Sequence, residues 1–264
     1  MDEQNINFPQ EISGGATIQS QSESGFLKIG GLFKRAWAVY KSRFQILIGI
    51  AVWIIIGNFL TGLFVGFLIL IKKDTLPEYF NPLRDIPFFS VIFIIGLMIT
   101  LWSTIALLIA IHEREQRIGI IDSFRKSWHK LPSYIWISTL VGLCVLGGTI
   151  FLIIPGIIFF VWFSFSTYVL VAEDIKRSQA LSRSKILVKG HWWKVFWILI
   201  ILLTVEYIIL YFLKFIPVVG DALSLIFGAL LIPFMVIFFF LVYEDLKGIK
   251  EKLPILSPER AKRE

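Results

Sequence analysis

Residues 131–172 run for 42 positions without an Asp, Glu, Lys or Arg. As one helix this stretch would extend about 63 Å, roughly twice the hydrocarbon thickness of a bilayer. It must therefore fold back on itself. Ile154-Pro155-Gly156 is the expected turn, because proline cannot donate the next helical hydrogen bond and glycine accepts unusual dihedrals. Four other charge-poor blocks, 44–71, 87–111, 192–212 and 222–243, are each long enough to cross once. The chain thus predicts six spans. With 56% of residues hydrophobic and only 17% charged, it reads as an all-α integral membrane protein.

The cations set the expected orientation. With six spans, the segment before the first span, the loops at 112–133 and 173–194 and the segment after the last span share one side and hold 22 Lys and Arg, against 4 in the opposite loops. Such a bias places the rich side in the cytoplasm, with both termini there. The first 24 residues are polar and acidic and lack a basic and apolar leader, so they predict a disordered cytoplasmic segment rather than a cleavable signal. A six-span domain follows over 25–247, and a basic cytoplasmic tail, also expected to be disordered, over 248–264.

Within that domain one design recurs three times. KIGGLFKRAWAVYKSRFQILIGI (28–50), RIGIIDSFRKSWHKLPSYIWISTL (117–140) and RSQALSRSKILVKGHWWKVFWILI (177–200) superpose with Phe33, Phe124 and Leu181 together and with Trp37, Trp128 and Lys185 together. Each copy predicts a cytoplasmic amphipathic helix lying at the membrane interface and feeding a transmembrane hairpin. The units are about 25–113, 114–174 and 175–247. In the first helix Phe26, Ile29, Phe33, Trp37 and Tyr40 form the expected apolar face. Each hairpin ends in acid, at Glu113, at Glu173-Asp174 and at Glu244-Asp245. All copies enter and leave on the same side, which suggests parallel repeats about a pseudo-threefold axis along the membrane normal.

Ile154-Pro155-Gly156, a span ending in Glu173, then Ala180-Leu181, Arg183-Ser184, Leu187, Lys189-Gly190 and Trp193, with Tyr243-Glu244-Asp245-Leu246-Lys247 at the close, resemble the membrane domain of bacterial glycerophosphoryl diester phosphodiesterases and related six-span proteins. The resemblance is clearest over 150–250 and extends to about 25–250. Lys185 stands where that family usually has an aromatic residue, and Trp162 where it often has arginine. The resemblance implies a six-span domain in the plasma membrane of a bacterium. It does not imply the phosphodiesterase activity, because no run of about 250 residues of alternating strands and helices is present to form the catalytic barrel.

The residues themselves argue against catalysis. His112, His129 and His191 lack the i, i+4 pairing of a helical zinc site, and there is no nucleophile elbow, P-loop or dinucleotide fingerprint. Cys144 is the only cysteine, so neither a disulfide nor a thiolate metal site is expected. No cofactor is implied. Basic residues interleaved with Trp can bind nucleic acid, but here they adjoin spans and suit membrane anchoring instead. The expected partners are anionic lipid headgroups on the cytoplasmic side, met by Lys34, Arg35, Arg125, Lys126, Arg183 and Lys189, and a possible membrane protein. The repeat offsets of 91 and 148 also carry Asn58 onto Thr149 and Glu206, which predicts a mid-depth polar cluster where spans one, three and five converge. An ionised carboxylate there needs a partner or a proton. Two functions fit: a non-catalytic protein that organises or binds lipid or a membrane partner, or an ion-coupled carrier using the polar cluster.

The orientation is testable in a Cys144→Ser background. New cysteines within 74–84 should react with an impermeant reagent from outside the cell, and cysteines within 178–190 should not.

Overall fold

A computed structural model of the chain describes residues 29–72, 81–116, 118–175, 177–217 and 219–260. Every regular element among them is helical. They are α1 (Ile29–Ser42), α2 (Phe44–Lys72), α3 (Pro82–His112), a 3₁₀ turn at Arg114–Gln116, α4 (Ile120–Phe151), α5 (Ile153–Phe163), α6 (Ser166–Glu173), α7 (Arg177–Val188), α8 (Trp192–Lys214) and α9 (Gly220–Arg260). Six stretches are long and apolar enough to cross a membrane: Phe44–Ile71, Asp85–His112, Ile120–Phe151, Ile153–Glu173, Trp192–Lys214 and Ile226–Glu251. The protein is a multi-pass membrane protein.

Spans two, four and six form the centre. Of their most apolar stretches 39%, 33% and 44% is buried, against 17%, 11% and 17% for spans one, three and five. This reverses the expected convergence of the odd spans, which stand at the perimeter. The core clusters where the even spans reach the charge-bearing end of the bundle, around Ile105 to Ile111, Val169 to Val171 and, on α9, Ile237, Phe238, Phe240 and Tyr243. α2 packs along α3 and also against α9, α4 along α5 and against α3, and α8 along α9 and against α5.

The long uncharged run does fold back, two residues earlier than expected. Leu152 is extended (φ −162°, ψ 141°) between α4 and α5, and its N–H still bonds the Gly148 carbonyl. Pro155 lies in the first turn of α5, where a missing N–H leaves no helical bond unmade. Gly148 and Gly156 are both needed for closeness: a Cβ added at Gly148 would lie 2.9 Å from the Gly156 nitrogen, and one at Gly156 would lie 3.0 Å from the Thr149 nitrogen. Span four breaks again at Ser164-Phe165, where the Ser164 hydroxyl donates to the Val161 carbonyl (2.9 Å) and the Ser166 hydroxyl to the Phe163 carbonyl (2.7 Å). Carbonyls near the break thus gain partners that hydrocarbon cannot supply.

Three interfacial features differ from expectation. In α1 the buried stripe is Leu32, Ala36 and Tyr40, whereas Phe33 and Trp37 are about half exposed and rest against Phe234. The small and slender side chains let α1 lie close to α9, and the rings point outward at its flanks. The second interfacial helix is not separate: α4 runs from Ile120 through Pro132 to Phe151 without a break. α9 also continues to Arg260, beyond the expected start of the tail, and Glu251 there meets Arg183 and Lys247. The predicted segment 1–24 lies outside the described residues.

Gly62 and Gly66, an apparent small-residue motif in the first span, meet nothing within 4 Å of an added Cβ. The close approach of spans one and two occurs instead at Gly57 and Gly96. A Cβ on Gly57 would lie 2.7 Å from the Gly96 carbonyl oxygen, and one on Gly96 would lie 2.8 Å from the Gly57 oxygen. Backbone on both sides leaves no flexible atom to yield. Gly57→Ala and Gly96→Ala should each destabilise by about 1–3 kcal/mol, as overpacking does, whereas Gly62→Ala should leave the unfolding midpoint in detergent unchanged.

Candidate functional site

The charge-bearing end of the bundle gathers nearly all the polar chemistry. Each even span ends there in acid, and each acid is met by a cation from another element. Lys126 of α4 pairs with Glu113, just past α3. Arg183 of α7 donates from Nε to Glu173, the last residue of α6, at 3.1 Å. Arg35 of α1 donates to Asp245 of α9 at 2.7 Å. Arg114, following α3, grips Glu244 of α9 with two bonds of 3.0 and 3.1 Å. The planar fork of arginine suits that bidentate geometry, which Lys could not reproduce.

Glu173 is the most heavily engaged group. Besides Arg183, it accepts a 2.8 Å bond from the Tyr243 hydroxyl of α9, and Lys247 lies 3.5 Å away. Its side chain is only 13% exposed. An orphaned carboxylate there would be costly, and two cations with a phenol offset that cost. Asp174, the next residue, adopts a left-handed conformation (φ 51°) to end α6 and pairs with Lys130 at 2.8 Å.

Two cations serve helix ends directly. Arg43, buried between α1 and α2, donates to the Ala110 carbonyl at 2.9 Å and the Ile118 carbonyl at 3.1 Å. Lys130 donates to the Val171 carbonyl at 3.1 Å. Ala110 and Val171 are in the last turns of α3 and α6, where unsatisfied carbonyls concentrate negative partial charge.

The six predicted headgroup contacts divide evenly. Arg35, Lys126 and Arg183 are turned into the ion pairs above. Lys34, Arg125 and Lys189 are exposed and make no ion pair among the described residues. Beside them stand the exposed rings of Trp37, Trp128 and Trp193. Lys185 is exposed but lies over the Trp162 ring, 4.3 Å from its centroid. A shallow groove lined by Ile175, Ser178, Gln179, Ser182, Arg183 and Ile186 runs along α7.

Asn58, Thr149 and Glu206 are not brought together. Asn58 is exposed on α2. Thr149 is exposed on α4 and its hydroxyl turns back to the Val145 carbonyl at 2.8 Å. Glu206 is half-buried on α8, on the stripe of Val195, Leu199, Leu202 and Leu210. No hydrogen bond joins any two of the three among the described residues, and their helices stand at the perimeter. Three polar residues per register are a weak signal when each can be satisfied by its own helix.

Residues that the hydropathy reading passed over are Arg43, Arg114 and Tyr243. The sequence does carry one signal for the ion pairs at the span ends. The same offsets of 91 and 148 that align Phe33 with Phe124 and Leu181 carry Arg35 onto Lys126 and Arg183, the three cations that meet the span ends. Among the described residues no three His, Cys, Asp or Glu gather as a metal would require. Compared with protein-family models, with curated proteins and with solved structures, the chain matches none.

Burial ranks the ion pairs. Glu173→Gln should lower stability by about 2–3 kcal/mol, because it leaves Arg183 short of a charge partner in a largely dehydrated position. Asp245→Asn should cost under about 1 kcal/mol, since Arg35 is half exposed. Unfolding midpoints in detergent at low and high salt check both, with the Asp245 effect shrinking as salt rises.

Proposed function

We propose that this protein is a non-catalytic membrane protein that binds and organises anionic lipid at the cytoplasmic face of a bacterial plasma membrane. The observation that carries the reading is the division of cations at one end of the bundle. Those facing acids are neutralised by them, while Lys34, Arg125 and Lys189 remain exposed beside Trp37, Trp128 and Trp193. Exposed Trp and Lys or Arg together suit the headgroup boundary, where a ring is half-solvated and a cation finds phosphate. The 22-to-4 bias of cations supports the cytoplasmic placement of that end.

The proposed architecture is three parallel units about a pseudo-threefold axis, each unit a basic interfacial segment and two spans. Its support is a shared register. Offsets of 91 and 148 relate Leu32, Ser123 and Ala180, and also Ala36, Ser127 and Ser184, all of them buried. Each unit's cation in the intervening register, Arg35, Lys126 or Arg183, reaches the acidic end of a second span: Lys126 that of unit one, Arg183 that of unit two and Arg35 that of unit three. The units are thereby linked in a closed ring.

Kinship with the glycerophosphoryl diester phosphodiesterase membrane domain is part of the same proposal. The residues carrying that resemblance have packing tasks: Ala180, Ser184 and Leu187 are buried, Arg183 holds Glu173, and Gly190 takes φ +92° between α7 and α8. The two departures are in contact, since Lys185 lies on Trp162. A lysine over an aromatic thus stands where the family pattern has an aromatic and an arginine, so each pair combines a cation with a ring. A carrier function finds no support in the polar residues at mid-depth, which stand apart.

Lipid retention tests the function. Purified from native membrane, the protein should keep anionic phospholipid detectable by native mass spectrometry. A triple variant, Lys34→Gln, Arg125→Gln and Lys189→Gln, should bind vesicles or nanodiscs containing phosphatidylglycerol on the order of 100-fold more weakly, at about 1 kcal/mol per cation. Equal binding of phosphatidylglycerol by both proteins, or a preference of the parent for zwitterionic over anionic lipid, would count against the proposal.

A further inference from the structure

Glu206 is the one acidic residue deep in a span, 14 positions after Trp192 and 8 before Lys214. Those separations place it about 21 Å and 12 Å of helix rise from the two ends of α8. It makes no hydrogen bond or ion pair among the described residues, and it is half-buried at the edge of the contact with α9. On the adjoining outer face Tyr207 is 68% exposed and Tyr211 49% exposed. Their rings are stacked, with centroids 5.9 Å apart and planes inclined by 18°. Leu203, 43% exposed, lies one turn before Tyr207 on the same face. Neither phenol has a hydrogen-bond acceptor among the described residues. An acceptor and a donor thus stand side by side in the hydrocarbon zone, both unsatisfied.

They cannot serve each other within one chain. Neighbouring residues on a helix point about 100° apart and do not face one another. Helical side chains lean toward the N-terminus, so the carboxyl group of Glu206 and the hydroxyl of Tyr207 are carried to almost the same depth, near the level of residue 203. A twofold axis along the membrane normal keeps that depth in a second copy. It brings acceptor to donor twice, which is the self-complementarity an isologous interface requires. Lipid chains offer Glu206 no donor. An unlike helix bearing a cation would satisfy Glu206 and leave the Tyr207 hydroxyl without an acceptor. A second copy satisfies both.

We propose that the outer face of α8 is a homodimer interface in which Glu206 of each chain accepts a hydrogen bond from Tyr207 of the other, with the stacked Tyr207 and Tyr211 rings as its flat apolar floor. The position of α8 at the perimeter leaves this face clear of the chain's own helices.

The test uses the full chain in liposomes. In a Cys144→Ser background, Leu203→Cys should form disulfide-linked dimers under mild oxidation, while Ile94→Cys and Leu143→Cys, exposed on α3 and α4, should not. Single-molecule photobleaching at graded protein density should show two copies per particle. Tyr207→Phe, which keeps the ring, and Glu206→Ala should each weaken dimerisation about tenfold or more, as intramembrane hydrogen bonds allow. The double variant should lose little beyond either single change, because both remove the same bonds. Glu206→Gln, which keeps an acceptor, should retain most of the association. Thermal melts of Tyr207→Phe at a dilution where both proteins are monomeric should match the parent, given the exposure of that ring. Monomers at every density, cross-links through Ile94→Cys or Leu143→Cys in place of Leu203→Cys, or a dimer indifferent to Tyr207→Phe would each overturn the proposal.

Discussion

One carboxylate holds together three helices that the membrane would otherwise allow to drift. Glu173 closes the fourth span, and it accepts from Tyr243 in the sixth span and from Arg183 in α7. Hydrophobic burial cannot supply this kind of specification, because lipid tails are as apolar as leucine and give helices little reason to prefer one another. A dehydrated carboxylate with a fixed set of donors has only one satisfactory arrangement. Tyr243 is itself 1% exposed, so its hydroxyl has no water to fall back on. The aliphatic core around Ile105 to Ile111 and Val169 to Val171 lies at the same depth and packs into the geometry that these polar bonds define.

The direction of the chain explains why the even spans, rather than the odd ones, occupy the centre. A span that starts at the charge-bearing end presents its N-terminal amides there, and one that returns presents carbonyls. The returning ends carry partial negative charge and then add Glu113, Glu173 or Glu244 to it. Basic segments are therefore drawn to spans two, four and six. Arg43 donates to the Ala110 carbonyl, and Lys130 divides its contacts between the Val171 carbonyl and Asp174, so the helix ends themselves take part in the attraction. Odd spans present amides at that end, where an acid in the first turn, such as Asp122 of α4, suits the helix start and draws no basic segment inward, and they stand at the perimeter.

Much of this was legible in the sequence, and what was not had physical causes. Span number followed from length and charge alone, since a 42-residue uncharged run cannot be one crossing. The faces did not follow, because in a membrane the large rings need no burial. Phe33 and Trp37 stand on the expected apolar face of α1 and are about half exposed, while the slighter Leu32 and Ala36 are inside. A small-residue spacing likewise does not locate the close helix contact, which lies at Gly57 and Gly96 and not at Gly62 and Gly66. A glycine spacing records permission to approach, and only a facing glycine makes use of it. The turn moved from Pro155 to Leu152 because proline is at home in the first turn of the following helix. The acid at each span end was visible, but its partners were set by which element packs beside it.

Glycine also distinguishes the three pairs of spans. The first pair is held together at mid-depth, where Gly57 meets Gly96. The second is held near its turn, where Gly148 and Gly156 bring α4 against α5. In the third pair the tight glycine contact is at the turn itself: a Cβ on Gly220 would lie 2.6 Å from the Leu213 carbonyl. Farther in, Gly228 meets only the tip of Leu210, at an ordinary 3.8 Å. α8 is therefore secured at its ends, by buried Val195, Ile198 and Leu199 on one side and by the Gly220 turn on the other. Between them no tight glycine contact draws it inward. The half-buried Glu206 falls in that interval, where the bundle holds its own helix least tightly and where a contact from outside would meet the least competition.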